Sequence, residues 1–242
     1  MELEPLPGTH TKTREALQRV ATHVLARRRA ALCGKFGLRA TPGGIGTPAC
    51  GPDHEVVRVA GTRLIREISG PVARSTSMDL TSATLVDAAA LVGVDLSEQF
   101  EVGHDTPPLG DPTAKIALDA DAARLVHQWF EFGWTVLDSA IGALGAEAEP
   151  SVVQLWPEHF DTGCDVAAAP ERRVNLGASP GDSFSVAPYL YVGPWDDARP
   201  GNSEYWNAPF GAVLRYETLR GAPDPVEAGY EFLLRGVERL AS

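Results

Sequence analysis

The segment 156–195 contains polar and aromatic residues of the types that a binding or catalytic site needs. Its first candidates are His159 and Asp161, which stand two residues apart. If a strand continued through them, both side chains would lie on one face, because side chains alternate along a strand. The pair could then bind one cation, or the carboxylate could orient the imidazole as a general base. His159 and Asp161 are therefore the candidate catalytic residues.

Residues further along this segment add oxygen ligands and aromatic walls. Asp182 completes a candidate metal-binding set with His159 and Asp161. The sequence specifies no cofactor, although such ligands would accept a divalent metal. A purely structural role is the alternative, since hydrogen-bonded His–Asp pairs and alternating aromatic residues also support ordinary packing. The candidate ligand-binding residues are Trp156, Asn175, Ser179, Asp182, Tyr189, Tyr191 and Trp195.

A second polar set lies on a predicted helix. His127 and Glu131 are four residues apart and could meet, with Trp134 nearby and Asp138 further along. Only one helix shows this pattern, whereas a metal site in a helix bundle takes ligands from facing helices. The pattern therefore favours a solvated polar face over a metal site.

Two motifs of well-known enzymes fail on inspection. The run 177–181 fits G-x-S-x-G, but Pro180 has no N–H for an oxyanion and no histidine follows Ser179. The run 44–49 resembles a dinucleotide-binding fingerprint, but Pro48 prevents the helix that must follow. The sequence therefore indicates neither a serine hydrolase nor a Rossmann nucleotide site.

Charge is distributed unevenly along the chain. The net charge is −11, which argues against nucleic acid as a partner. Residues 1–40 nevertheless have a local balance of +5. A solvated helix face with its exit loop is the main interpretation, and an anion-binding, intramolecular docking or protein-interaction face is the alternative. The basic residues are Lys12, Arg14, Arg19, Arg27, Arg28, Arg29, Lys35 and Arg39.

Cysteine content and hydropathy indicate the cellular compartment of the protein. The three cysteines include no C-x-x-C pair, which argues against a disulfide framework and a cysteine-rich zinc site. The N-terminal residues lack the features of a signal peptide, and no apolar run approaches the ~18 residues of a membrane span. We therefore expect a cytoplasmic protein with no membrane partner. The sequence does not specify the oligomeric state.

Periodicity and turn residues predict the elements that position these groups. The predicted helices are 11–33, ended by Gly34; 85–93, capped by Thr81 or Ser82; 119–145, capped by Asp119; and a last one from Pro225 to about Leu240. The predicted strands are 36–40, 55–69 with a turn at Gly61, 72–80, 152–156, 173–176, 189–192 and 212–216.

This order predicts an α+β fold. We expect a single domain over residues 1–242 with a mixed or antiparallel sheet flanked by helices. The order helix, three strands, helix is followed by helix, about four strands, helix. It indicates two half-repeats, 11–100 and 114–242, which would share one sheet and join through a loop at 101–113.

Three short motifs resemble those of an uncharacterised bacterial family, domain of unknown function fifty-nine ninety-six. They are Trp156-Pro-Glu-His-Phe-Asp161, Gly177-Ala-Ser-Pro-Gly-Asp182 and Pro188-Tyr-Leu-Tyr191. Members of that family often have Trp-Gly-Ser-Phe-Asp at the first motif, so Asp161 is the shared element and His159 is not. The resemblance implies a shared fold and carries no activity.

Three functional hypotheses follow from the sequence. The first is small-molecule binding through an aromatic and polar pocket in the C-terminal half. The second is a metal-assisted or acid–base enzyme that uses His159, Asp161 and Asp182. The third is a protein-interaction module that uses the basic N-terminal helix.

Overall fold

The protein has an α+β fold with two antiparallel five-stranded sheets. The structure is a computed structural model that describes residues 1–103, 105–197, 199–201 and 203–241. The chain divides into two compact units. The N-terminal unit comprises Leu6–Gln128 and Leu155–Phe160, and the C-terminal unit comprises Met1–Pro5, Trp129–Gln154 and Asp161–Ser242.

The N-terminal unit begins with one continuous helical segment. It consists of α1 (His10–Val20), a π-helical segment (Ala21–Ala26) and α2 (Arg27–Cys33). Gly34 adopts a left-handed conformation with φ of 69° and ends the segment. The predicted helix 11–33 and its stop at Gly34 are confirmed. The π turn was not predicted, because hydrophobic periodicity does not distinguish a short π segment from α-helix.

The first sheet is an antiparallel meander in chain order. Gly61, with φ of 57°, forms the turn between its third and fourth strands, as predicted. Buried side chains alternate along the third strand at Val57 and Val59. The strands are β1 (Arg39–Thr41), β2 (Gly44–Gly46), β3 (Val56–Ala60), β4 (Arg63–Ile68) and β5 (Arg74–Asp79).

Helix α3 (Leu85–Val92) follows this sheet. Its N-cap is Thr84, whose hydroxyl accepts a hydrogen bond from the Asp87 amide while the Asp87 carboxylate accepts one from the Thr84 amide. The predicted caps Thr81 and Ser82 are wrong, because this reciprocal capping box fixes the helix start. Among the described residues of 93–119, which follow α3, there is no helix or strand.

The second sheet is also an antiparallel meander. The predicted cap Asp119 is confirmed, since its carboxylate accepts a hydrogen bond from the Ala122 amide. Asp224 caps the last helix by accepting a hydrogen bond from the Val226 amide. The elements are α4 (Ala120–Leu144), a 3₁₀ turn (Ala146–Ala148), β6 (Gln154–Trp156), β7 (Asp161–Ala169), β8 (Arg172–Ser179), β9 (Tyr189–Pro194), β10 (Ala212–Arg215), α5 (Tyr216–Arg220) and α6 (Pro225–Ala241).

Glycines let helices approach the inner face of the C-terminal sheet. A Cβ at Gly133 of α4 would lie 2.5 Å from the Cβ of Ala178, and one at Gly229 of α6 would lie 2.8 Å from Leu190 Cδ1. Such distances are far below van der Waals contact, so only glycine fits at both positions. The inner face is fully covered, which leaves the outer face of β7, β8 and β9 to carry the polar residues.

The element order is the same in both halves: helix, five-stranded meander, helix. The strands form two sheets, however, so the expectation that the half-repeats share one sheet is wrong. Strand β7 was missed because its sequence DTGCDVAAA is rich in aspartate, glycine and alanine, which have low strand propensity.

Within the part of the chain that the structure describes, no helix is both long enough and apolar enough to cross a bilayer.

Candidate functional site

The segment that carries the candidate catalytic pair is a turn. Strand β6 ends at Trp156 and β7 begins at Asp161, and Phe160 between them is fully buried with φ of 55°. The strand does not continue past Trp156, so side-chain alternation does not place His159 and Asp161 on one face. Trp156 and His159 belong to the N-terminal unit, and Asp161 belongs to the C-terminal unit.

His159 itself is exposed. Its Nδ1 lies 3.7 Å from Oδ2 of Asp105, beyond ordinary hydrogen-bond length, and about half of each side chain is accessible. In the described residues, no group of three or more His, Cys, Asp or Glu side chains could hold a metal ion. His159, Asp161 and Asp182 therefore do not come together as the ligands of one metal ion.

A tyrosine–aspartate pair crosses the outer face of the C-terminal sheet. Gly163 of β7, Gly177 of β8 and Tyr191 of β9 are neighbours in register. The Tyr191 ring lies over Gly177, where a Cβ would come within 2.3 Å of the hydroxyl oxygen. The hydroxyl donates to Oδ2 of Asp161 at 2.5 Å. The two glycines thus open the path that lets Tyr191 reach a carboxylate two strands away.

A second tyrosine–aspartate pair lies beside the first. The Tyr189 hydroxyl donates to Oδ2 of Asp182 at 2.5 Å. The Ser179 hydroxyl is 3.5 Å from the same oxygen, while Oδ1 accepts from the amides of Phe184 and Ser185 at 2.8 and 3.1 Å. These donors occupy both carboxylate oxygens. Asp182 therefore fixes a turn and orients Tyr189.

Burial raises the pKa of Tyr191 well above its ordinary value, and the neighbouring carboxylate of Asp161 raises it further. Burial and the hydrogen bond with Asp182 raise the pKa of Tyr189 in the same way. Both phenols consequently stay protonated at neutral pH and act as hydrogen-bond donors. Neither is suited to act as a general base.

Two phenylalanines that the sequence did not indicate extend this outer face. Phe184 and Phe210 have ring centroids 5.1 Å apart, and each is more than a third exposed. Their rings also contact Tyr189, at 5.6 and 6.5 Å between centroids. The sequence did not predict their position on this face, because both residues lie in connections between strands, where side chains follow no regular alternation.

Asn175 and Trp195 form a separate pair. The indole N–H of Trp195 donates to Oδ1 of Asn175 at 2.8 Å, and the guanidinium of Arg173 lies 5.8 Å from the Trp195 ring centroid. Trp195 is 63% exposed. Neither Asn175 nor Trp195 has a ring contact or hydrogen bond with Tyr189 or Tyr191, so the candidate ligand-binding residues form separate clusters.

Three basic or imidazole side chains of the N-terminal unit hold the long connection 93–119. Arg19 donates to the Leu109 carbonyl at 3.0 Å, and Nε2 of His23 lies 2.8 Å from the Pro107 carbonyl. Arg27 donates to the Glu98 carbonyl. The three residues recur every four positions, so they share one face of the helical segment.

A cleft of about 510 Å³ lies between this face and the connection. Arg27 lines it and is only 7% exposed, and its guanidinium lies 5.0 Å from the Phe100 ring centroid. His23 lies beside it in the π segment, a distortion that often marks functional positions. The remaining lining residues are Leu96, Ser97, Glu98, Gln99, Glu101, Gly103, Thr106, Pro107, Pro108 and Leu109.

Burial lowers the pKa of His23. Its hydrogen bond with Pro107 opposes that change, and the positive charges of Arg27 and Arg19 add to it. The imidazole is therefore neutral at pH 7 and donates its Nε2 hydrogen to the carbonyl. The net positive charge at the floor of the cleft comes from Arg27.

Other arginines of the helical segment are also engaged within the N-terminal unit. Arg28 forms a two-point ion pair with Glu55 at 2.7 and 2.9 Å, and Arg66 contacts the same carboxylate at 2.8 Å. Arg29 donates to the Gly37 carbonyl. The solvated-face interpretation is therefore wrong for these residues, and the intramolecular docking alternative is the one observed. Lys12, Lys35 and Arg39 are exposed.

The solvated face predicted on α4 is found at Glu131 and Asp138, which are exposed, but not at His127. His127 is buried, whereas Glu131 is exposed. Burial lowers the pKa of His127 to about 4, and the neighbouring backbone of Gly43 opposes the change in part. His127 is therefore a neutral core residue at pH 7.

Comparisons of the chain with protein-family models, with curated proteins and with solved structures found no match.

Proposed function

We propose that this protein binds a small organic anion in the cleft between its N-terminal helical segment and the connection 93–119. The observation that carries the proposal is Arg27. Its guanidinium is almost fully buried at the cleft, and among the described residues its partners are a backbone carbonyl and an aromatic ring, with no ion pair. The exposed carboxylate of Asp95 interacts electrostatically with this charge but forms no salt bridge with it, so the buried cation still favours an anionic ligand.

The size and chemistry of the cleft fit a small organic molecule. Its volume of about 510 Å³ falls within the range of ~300–1,000 Å³ for ligand pockets. Phe100, Leu96 and Leu109 supply apolar surface, and Arg27 and His23 supply converging polar groups. A long connection such as 93–119, whose described residues form no helix or strand, is also typical of binding loops.

Charge around the cleft limits the ligand to one negative charge. Glu98 and Glu101 are exposed and also line it, and the whole chain has a net charge of −11. These groups repel phosphodiesters and other polyanions, so nucleic acid is a poor partner. A monocarboxylate with an aromatic or aliphatic body satisfies Arg27 and meets the least repulsion.

Calorimetric titration with benzoate and with uncharged benzyl alcohol tests the proposal. We expect benzoate to bind and benzyl alcohol to bind at least 10-fold more weakly, because a charge-assisted hydrogen bond contributes about 1.5–3 kcal/mol. The Arg27→Gln variant should bind benzoate about 10-fold more weakly than the parent chain, while its affinity for benzyl alcohol stays the same. Arg19→Gln is the matched control, since Arg19 holds the same connection but does not line the cleft.

Two results would contradict the proposal. One is equal benzoate affinity in the parent chain and in Arg27→Gln. The other is an equal loss in Arg27→Gln and Arg19→Gln, which would show that both substitutions act by loosening the connection. Arg27→Lys should bind benzoate more tightly than Arg27→Gln but more weakly than the parent chain, since lysine keeps the positive charge and lacks the planar guanidinium group.

The outer face of the C-terminal sheet is a second candidate for small-molecule binding. The observation that favours it is the pair of exposed rings, Phe184 and Phe210, packed on Tyr189. An aromatic ligand would stack there, with no need for a charge. In an NMR titration with benzyl alcohol, the Tyr189 ring signals of the parent chain should then shift and reach saturation. Phe210→Ala should abolish these shifts, and unchanged shifts in the variant would exclude this face.

A further inference from the structure

Cys33 and Cys50 lie together although 16 residues separate them in the sequence. The two thiols are close enough for Cys33 to raise the pKa of Cys50. The adjoining residues are also in contact: a Cβ at Gly51 would lie 3.8 Å from Leu32 Cδ2. The Arg28–Glu55 ion pair joins the same two segments. The end of α2 therefore lies against the turn before β3, and the Arg28–Glu55 ion pair holds the two segments together.

Both residues are free thiols, and they differ in exposure. Cys33 is exposed at the last position of α2, and Cys50 is partly buried. Burial raises the pKa of Cys50 to about 11, and the neighbouring Cys33 adds to the rise. Cys33 is therefore the thiol that an external reagent reaches first.

We propose that Cys33 and Cys50 form a reversible disulfide through exchange with a low-molecular-weight disulfide such as oxidised glutathione. The Cys33 thiolate attacks one sulfur of the reagent, forms a mixed disulfide and releases one glutathione. Deprotonated Cys50 then attacks the Cys33 sulfur and releases the second glutathione. Two protein thiols are oxidised, one external disulfide is reduced, and the two protons pass to the released thiols.

The third cysteine provides an internal control. Cys164 is buried in the C-terminal unit, and burial raises its pKa to about 12. A buried thiol with so high a pKa does not react with external disulfides in the folded protein. The native chain should therefore lose two thiols on oxidation and keep one.

The disulfide would close a loop that contains β1 and β2. Cross-linking a loop of this length stabilises a folded chain mainly by restricting the unfolded state. We expect the melting temperature to rise by roughly 5 °C on oxidation and to return on treatment with dithiothreitol. The bond is thus a redox-dependent brace between α2 and the turn before β3.

Intact-mass measurement after incubation of the native full chain with oxidised glutathione tests the proposal. We expect a mass loss of about 2 Da, reversed by dithiothreitol, with Cys33 and Cys50 linked in the peptide map. In Cys50→Ser, a mixed disulfide of about +305 Da should accumulate at Cys33 instead. Cys164→Ala should behave like the parent chain.

Accumulation of the mixed disulfide in the parent chain would overturn the proposal, because it would show that Cys50 does not reach Cys33. A disulfide-linked dimer, or a linkage that includes Cys164, would overturn it equally. Cys33→Ser should show neither product, and loss of 2 Da in that variant would also contradict the assignment.

Discussion

Nε2 of His23 lies 2.8 Å from the carbonyl oxygen of Pro107, a residue 84 positions further along the chain. The contact joins the π segment of the first helix to the connection that covers the cleft. A neutral imidazole donates to this carbonyl, and burial together with two nearby arginines keeps it neutral. The same histidine therefore supports the loop and lines the proposed ligand site.

Replacing His23 should loosen the connection without unfolding the protein. His23→Leu removes one buried hydrogen bond, whose loss corresponds to about 1–1.5 kcal/mol, or roughly a 10-fold rise in local opening. Amide exchange within residues 96–109, followed by mass spectrometry, should accelerate by that factor. His54→Asn, at an exposed turn position with φ of 47°, should change nothing. Faster exchange in α1 instead would show that His23 mainly supports the helix.

Acid should destabilise the protein through His127. Its folded pKa of about 4 lies below the ordinary value of 6.5, so the unfolded state binds the proton more readily. Stability is then complete above pH 6.5 and falls as the pH drops from there towards 4. Linkage over this window gives a loss of about 2 kcal/mol between pH 7.5 and pH 5.

Urea denaturation of the parent chain and of His127→Leu at these two pH values measures that contribution. The variant lacks the titrating group, so its pH-dependent loss should be about 2 kcal/mol smaller, whatever its stability at pH 7.5. His10, whose pKa burial also lowers to about 4, remains in both proteins and cancels in the comparison. An identical pH dependence in the two proteins would show that His127 titrates normally when folded.

The buried carboxylate of Glu55 should contribute more to the free energy of unfolding than its position in a loop indicates. It is 4% exposed and carries both Arg28 and Arg66. Glu55→Ala leaves two partly buried guanidinium groups unpaired and should cost about 2–4 kcal/mol in chemical denaturation. Glu67→Ala removes a comparable pair with Arg58 at a more exposed site, and should cost less than about 1 kcal/mol. An equal loss of unfolding free energy in the two variants would show that burial does not determine how much these ion pairs stabilise the protein.

Local sequence signals located the helices well. Asp119 and Gly34 stand where a cap and a stop are required, and the structure uses both. These signals succeed because capping depends on hydrogen bonds within one turn of the chain. Strand β7 was missed for the opposite reason: its residues become a strand only because β8 lies beside it.

The candidate site was only partly predictable. Tyr189 and Tyr191 are two residues apart on β9, so the strand period places both rings on one sheet face, where they are neighbours. Asp182 joins them from the turn between β8 and β9, a relation that the strand period does not predict. The sequence did not reveal the cleft, although Arg19, His23 and Arg27 recur at helical spacing. Their common target is a connection some 70 to 90 residues away, and pairing over that distance leaves no local pattern.

The contact between Tyr191 and Gly177 leaves no room for a side chain at position 177. A Cβ at Gly177 would lie 2.2 Å from Tyr191 Cζ, so Gly177→Ala should destabilise the protein by about 2–3 kcal/mol. In a Tyr191→Ala background the same substitution should cost less than about 1 kcal/mol, because the ring is gone. Gly193→Ala is the matched control, since its Cβ would meet Asn175 at an ordinary 3.9 Å. Chemical denaturation of the four proteins of the cycle measures the coupling. An equal cost in both backgrounds would mean that strand conformation, and not the tyrosine ring, requires glycine at position 177.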